Sequence, residues 1–395
     1  MRIAYVCADR GVPIFGNKGC SIHVRQVISA LLRHGAEIDL IAAGLDGERP
    51  ANWGNVRIHL LPLLSSTDPR EREQMALAGN EHTMAALRKS GGFDMVYERY
   101  SLWSYAAMEY ATLTGTSGVL EVNAPLVEEQ AEHRVLIDRA AAEGVARRVF
   151  AAADALVAVS KELADYLNSY PGARGRVHVI PNGVDPARFP ENIRPSLPNP
   201  KRLFTIGFVG SMKPWHGLPS LVTAFDQVRR SAPDTRLLIV GNGRAKEELQ
   251  SAILNRGLKD SIHFTGAVDS EKIPGLLASM DVAVAPYPAL ANFYFSPLKV
   301  YEYMAAGRAV VASRIGSLAE LIEDGMNGLL SPPGDVDALA AAILRLKADA
   351  ALRQRIGAAA RKMVIENYTW DQVVRRTTAL ATHRPGAKLT MEAAS

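Results

Sequence analysis

Short apolar runs alternate with longer amphipathic stretches from the first residues onward. Arg2-Ile3-Ala4-Tyr5-Val6-Cys7-Ala8 has no polar alternation and reads as a strand buried on both faces. Ser21 to His34 places Val24, Val27, Ile28, Leu31 and Leu32 on one helical face, with Ser21 as N-cap and Gly35 as the stop. Further strands are predicted at Glu37–Ala42, Asp94–Tyr97, Gly118–Val122 and Ala155–Ser160, with helical segments between them. Strands alternating with helices predict a mostly parallel sheet covered on both sides.

The pattern breaks between Pro181 and Pro200, where prolines stand at 181, 186, 190, 195, 198 and 200, and then restarts. Phe204–Val209, Leu237–Val240, Ile262–Phe264, Val282–Ala285 and Ala309–Ala312 read as strands, and Leu218–Ser231 as a helix. The expected organisation is an N-terminal domain over 1–190, a linker over 191–202 and a second α/β domain over 203–365. A last helix over 366–382 and a disordered tail over 383–395 complete it.

Composition narrows the class. A chain of 395 residues, 48% hydrophobic and 22% charged, has the make-up of a folded protein with two cores. Cys7 and Cys20 are the only cysteines, so neither a disulfide framework nor a zinc pattern is present, and a cytoplasmic location is expected. The apolar run after Arg2 ends at Asp9, too short for a secretory core, and no run approaches the length of a membrane span. Residues 1–189 carry 20 basic against 22 acidic side chains, and the rest of the chain 25 against 19. So modest an excess argues against nucleic acid as a partner, but suits a second half that holds a diphosphate.

Three segments carry candidate chemistry. Ser296 to Gly307 reads as a complete short helix, with Ser296 as N-cap, Pro297 in the first position and Gly307 ending it. Lys299 in its first turn opposes the helix dipole, which is poor for stability and good for an anion; Glu302 could accept from a vicinal diol. The plain alternative is a surface helix with a stray lysine. The loop Gly11–Gly19 leads from the first strand into a helix, and Gly16 and Gly19 let the backbone approach a ligand. Gly210–Gly217 follows the first strand of the second half, with Lys213 and His216 as phosphate donors; a solvated turn is the alternative. Gly241-Asn242-Gly243 lacks the third glycine of a dinucleotide fingerprint. Asp335 and Asp337 are better explained as helix capping than as a metal pair. HExxH, GxSxG, P-loop and CxxC elements are missing.

In order along the chain stand Ile180-Pro181-Asn182-Gly183-Val184-Asp185, Gly207-Phe208-Val209-Gly210, Ile239-Val240-Gly241-Asn242-Gly243, Phe264-Thr265-Gly266, Glu302-Tyr303-Met304-Ala305-Ala306-Gly307 and Asn327-Gly328-Leu329-Leu330. With these six markers the chain resembles the retaining GT-B glycosyltransferases of family four, the glycogen-synthase-like group. The resemblance implies an α/β fold of two Rossmann-like domains with parallel sheets facing across a cleft. It implies that Gly16 and Gly19 approach the donor phosphates, that Gly266, Ala267 and Val268 meet the nucleobase, and that Glu302 holds the ribose hydroxyls. Leu298 and Lys299 match helix-start positions near the diphosphate, and the helix after Tyr368-Thr369-Trp370 is expected to return to the first domain.

The chain also departs from that family's pattern. Tyr294 stands where a sugar-contacting glutamate is usual, Ser211 and His216 where an arginine and a lysine flank the loop, and Asn123 where a histidine is usual. Sugar recognition is therefore expected from the amides of Phe295 to Leu298 and from Asn123. Lys299, Lys213 and Asn123 are the expected catalytic residues; Gly16, Gly19, Gly210, His216, Gly266, Ala267, Val268, Ser296, Leu298 and Glu302 are the expected donor-binding ones. The expected reaction is metal-independent transfer with retention from a UDP-sugar, a GDP-sugar being next, to a small-molecule, glycan or lipid-linked acceptor. No cofactor beyond the nucleotide sugar is expected. The alternative is a catalytically weak nucleotide-sugar-binding subunit; an NAD-dependent oxidoreductase is disfavoured by the missing fingerprint. Arg134, Arg139, Arg147 and Arg148 make a peripheral contact with the inner membrane face a further candidate.

Overall fold

The computed structural model describes residues 1–62 and 66–381; the expected tail from His383 lies outside the described residues. Among the described residues, thirteen strands form two sheets. β1 (Arg2–Cys7), β2 (Glu37–Ala42), β3 (Arg57–Leu60), β4 (Met95–Arg99), β5 (Ser117–Val122), β6 (Ala155–Ala158) and β7 (Val177–Val179) build the first. β8 (Phe204–Val209), β9 (Thr235–Val240), β10 (Ile262–Gly266), β11 (Val282–Ala285), β12 (Ala309–Ser313) and β13 (Leu329–Ser331) build the second. All pairings within both sheets are parallel, as the helix-strand alternation predicted. The orders are β3-β2-β1-β4-β5-β6-β7 and β10-β9-β8-β11-β12-β13. Each reverses direction beside its first strand, between β1 and β4 and between β8 and β11. Loops leaving the strands diverge at such a reversal and open a crevice.

The chain divides into two compact units: Met1–Pro181 with the helix Trp370–Ala381, and Asn182–Thr369. In the first unit, Trp370 meets the ring of His23 edge-on at 5.1 Å, and Asp371 pairs with Arg33 at 3.1 Å. In the second unit, successive residues of the central strands point to opposite faces. Ile206, Phe208, Leu237 and Ile239 join Leu221, Phe225 and Ile343 in one core. Leu238, Val240, Ala283 and Ala285 join Leu277, Tyr301 and Met304 in the other.

β2, β8, β11 and the helix Leu218–Ser231 have the bounds that periodicity predicts. β3, β7 and β13 were not anticipated. All three are edge strands of three or four residues. Two helix starts also differ. The first helix runs Gly19–Arg33 with Lys18 at its cap, so Ser21 is a buried residue inside it and not its N-cap. The helix expected from Ser296 runs Leu298–Ala305, and Ser296 is not its N-cap. Its hydroxyl accepts from the Asn182 amide at 3.1 Å, so it is spent on a long-range contact. Asp335 does cap its helix, accepting from the Ala338 amide at 2.9 Å.

Candidate functional site

In the second unit, the candidate residues gather where β8 and β11 diverge. β8 ends at Val209, and Gly210 turns the chain with φ of 146°, in the region where only glycine is at ease. The next residues run to Gly217, whose φ is 69° and whose added Cβ would stand 1.6 Å from the Pro286 carbonyl oxygen. Glycine there lets the loop after β8 lie against the loop after β11. His216 spends Nδ1 on the Ser211 carbonyl within the same loop. Burial, with Lys299 next to it, lowers the His216 pKa to about 3, so its ring is neutral at ordinary pH.

Lys299 reaches into this loop from the first turn of the helix Leu298–Ala305. Its ammonium sits 4.4 Å from the Phe208 ring and 5.1 Å from the Tyr287 ring. It lies so close under Gly210 that a Cβ there would come within 3.2 Å of Nζ. Nζ is shut off from solvent and has no hydrogen-bond partner among the described residues. Burial lowers its pKa to about 7, and the charge of Lys213 adds to the effect. Lys213 itself is exposed, with its ammonium 4.8 Å from the Trp215 ring. A buried cation without an anion is costly, and two cations converging on one loop make it more so.

At the start of this helix, the amides of Leu298 and Lys299 have no backbone partner among the described residues, while Val300 already donates to the Pro297 carbonyl. Pro297 contributes no donor. Orphan amides at a helix start suit an anion. Asn182 fixes the approach to this turn: its amide donates to Ser296 Oγ at 3.1 Å and its Nδ2 to the Ser296 carbonyl at 2.7 Å. Asn182 belongs to one of the sequence markers, yet nothing local in the sequence reveals its partner.

Glu302 lies one turn further along the same helix. Its Oε1 accepts from Arg188 Nη1 at 2.7 Å. Burial raises its carboxyl, and the Arg188 guanidinium partly offsets that rise. Arg188 also donates to the Ser270 carbonyl at 2.8 Å. Sequence reasoning missed Arg188 altogether. On the other side of the strand reversal, the β9–β10 register slips between Phe264 and Gly266, and Gly266 has φ of 72°. Ala267 and Val268 follow the end of β10, and Val268 packs against the second core.

The first unit holds its own candidates. Gly16 donates to the Pro13 carbonyl at 3.0 Å and accepts from Arg25 at 3.1 Å; an added Cβ would meet Pro13 Cγ at 2.9 Å. Gly19 opens the first helix with open space where a Cβ would stand. Asn123 follows β5, and its Nδ2 is buried with no partner among the described residues. Two residues earlier, Glu121 meets His23 at 2.9 Å. Burial alone would raise the Glu121 carboxyl, but His23 and Arg99 bring it below its ordinary range. The four arginines considered for a membrane contact each face a glutamate: Arg134–Glu129, Arg139–Glu143, Arg147–Glu143 and Arg148–Glu109. Among the described residues, no helix is long and apolar enough to cross a membrane, and no group of three or more potential metal ligands is present.

Two doubly wound parallel sheets, one of them with a buried cation at its reversal point, define an α/β architecture of the GT-B class. Residues 17–188 match the model for glycosyltransferase family 4, and residues 204–349 that for glycosyl transferases group 1. The chain belongs to this glycosyltransferase family. Over 225 residues it is 30% identical to glycogen synthase from Mycobacterium tuberculosis, covering 57% of this chain and 53% of that one. This chain therefore spans about half the length of that relative. Over 257 residues it is 29% identical to a GDP-mannose-dependent alpha-(1-6)-phosphatidylinositol monomannoside mannosyltransferase from Mycolicibacterium smegmatis, covering 61% and 65% of the two chains. The fold is shared with Anabaena HepE, solved in complex with UDP: TM-score 0.70, 20% identity, 97% of this chain and all of the other.

Proposed function

We propose that this chain transfers a sugar from a nucleoside-diphosphate donor, a UDP-sugar before a GDP-sugar, to a small-molecule, glycan or lipid-linked acceptor. The observation that carries the reading is Lys299: a buried ammonium without a counter-ion among the described residues, beside orphan helix amides, at the reversal point of the second sheet. In the reaction the bond from the anomeric carbon to the diphosphate breaks, and negative charge grows on the departing oxygen. Lys299, Lys213 and the helix-start amides meet that charge without a bound metal, and protein groups already in place need no reorganisation. Glu302 takes the ribose hydroxyls, and Gly266 to Val268 border the base.

Retention follows in this reading from attack on the face the diphosphate leaves, the diphosphate oxygen taking the acceptor proton. Asn123, with an unspent buried donor, serves the sugar or the acceptor hydroxyl. HepE supports uracil as the base, and the mannosyltransferase keeps guanine as the second choice. The test is a thermal-melt panel of UDP-glucose, UDP-galactose, UDP-N-acetylglucosamine and GDP-mannose, followed by donor hydrolysis. A ligand of the native state raises the melting temperature. One donor should do so and be hydrolysed, with an α-configured sugar leaving an α product when an acceptor is supplied. No shift with any nucleotide sugar refutes the proposal, and a β product from an α donor refutes retention.

A further inference from the structure

We infer that Arg188, a residue outside the sugar-nucleotide loops themselves, is a positioning residue for ribose recognition, acting through Glu302. The inference rests on the ribose role proposed above for that carboxylate.

Arg188 ends the short turn Pro186–Arg188, within the proline-rich stretch. The turn is held on all sides. Asp185 accepts from the Ala187 amide at 3.1 Å, the Val184 amide donates to the Tyr368 carbonyl at 2.9 Å, and Arg361 donates to the Phe189 carbonyl at 2.7 Å. From this fixed base the guanidinium forks. Nη1 holds Glu302 Oε1 at 2.7 Å and Nη2 holds the Ser270 carbonyl at 2.8 Å. Ser270 lies two residues past Val268, in the segment that follows the β10 bulge. One side chain thus ties the carboxylate on the helix to the stretch proposed to border the base.

The arrangement has the form of a site more than of a brace. Both partners are largely shielded, with side chains 19% and 16% exposed. An ion pair so placed adds little stability over apolar residues of the same volume. Arg188 takes only one of the two carboxylate oxygens; Oε2 has no hydrogen-bond partner among the described residues and is not sealed from solvent. A carboxylate held by one oxygen, with the other open, presents an acceptor of fixed direction. Burial works against the charge that a diol would need to find there, and Arg188 opposes that effect. Lysine could supply the charge. Only arginine's planar fork reaches both Glu302 and Ser270.

The experiment measures binding by calorimetry for UDP and 2′,3′-dideoxy-UDP, and for GDP and 2′,3′-dideoxy-GDP, on the full chain. The wild type should prefer the ribonucleotide by at least about tenfold, roughly one charge-assisted hydrogen bond. Glu302→Gln and Arg188→Ala should each reduce that preference to near unity, while dideoxy binding stays within about twofold of wild type. Arg188→Lys should restore part of it. Arg188→Gln keeps donors without the charge and covers the case in which alanine does not fold, as judged by melts. Loss of ribonucleotide and dideoxynucleotide binding in equal proportion would show a scaffold role only and overturn the inference. So would an Arg188→Ala protein with the preference intact while Glu302→Gln lacks it. If Glu302→Gln keeps the preference, or the wild type binds neither nucleotide, the ribose role itself fails and takes the inference with it.

Discussion

Lys299→Met tests whether the buried ammonium is there for a diphosphate. Burial and Lys213 bring the Lys299 pKa to about 7. At pH 8 a group of that pKa is only about one-tenth protonated. A diphosphate beside it would restore the charge, so nucleotide binding at pH 8 should take up roughly 0.9 proton per site. Calorimetry with UDP in buffers of different ionisation enthalpy reads that uptake from the slope of heat against buffer enthalpy. Affinity should also fall by up to about tenfold per pH unit above 7, as the proton becomes harder to acquire. Lys299→Met should abolish the uptake and weaken UDP by about ten- to a hundredfold. Stability should move the other way. The unfolded chain keeps the lysine proton up to about pH 10.5 and the native state only to about 7, so the native state gains stability as pH rises through that window. Below pH 7 the whole cost is present, at most about 5 kcal/mol for such a shift. The methionine variant should therefore melt higher than wild type at pH 6.5, with the gap narrowing toward pH 10. A variant that melts lower, binds UDP as before and takes up the same protons would refute the reasoning.

Glu98 is buried, holds the Ser104 hydroxyl on one oxygen, and its pKa is pushed up to about 7 by burial. The native state keeps that proton to a higher pH than the unfolded chain, so Glu98 costs stability as pH rises from about 4.5 to 7; Glu98→Gln should stabilise by about 1–3 kcal/mol at pH 8 and by almost nothing at pH 4, read from urea midpoints. Gly217→Ala forces a methyl to 1.6 Å from the Pro286 carbonyl at a φ of 69°, so it should lower stability by more than about 2 kcal/mol and weaken UDP as the loop moves away from Lys299. EDTA should leave turnover unchanged, because Lys299, Lys213 and the helix amides are proposed to meet the diphosphate charge; loss of activity restored by Mg²⁺ or Mn²⁺ would overturn that assignment.

What the sequence reveals depends on how local the cause is. β8 and β11 are buried on every residue, so their apolar runs end where the strands end. β3 lies at an edge: its Arg57 and His59 reach Asp39 on β2, at 2.8 and 3.0 Å. Those two polar residues break the apolar run, and only the partner on the neighbouring strand explains them. β7, Val177-His178-Val179, is three residues long and mostly exposed, so its single apolar-polar alternation is too short to mark a strand. The glycines divide in the same way. Gly210 is legible as a donor-binding position because it follows a strand directly; that Gly217 must avoid the Pro286 carbonyl depends on a loop some seventy residues away.

The helix from Leu298 shows why a site is read less completely than a fold. Ser296-Pro297 has the composition of a cap and first turn, and taken alone that reading is sound. Ser296 instead serves Asn182, and Glu302 serves Arg188, each 114 residues upstream in the chain. Both partners come from the segment Asn182–Arg188, which folds back as one piece against one short helix. Asn182 takes the hydroxyl that would have capped the helix, and the amides of Leu298 and Lys299 have no backbone acceptor among the described residues. Lys299 then adds a buried charge to that deficit of acceptors. The helix start is thus incomplete in a way that an anion would repair, and the incompleteness is created by a contact that no local pattern encodes. Lys299 could be singled out from sequence because it opposes the dipole of its own helix. Arg188 could not, because its chemistry exists only once the two segments meet.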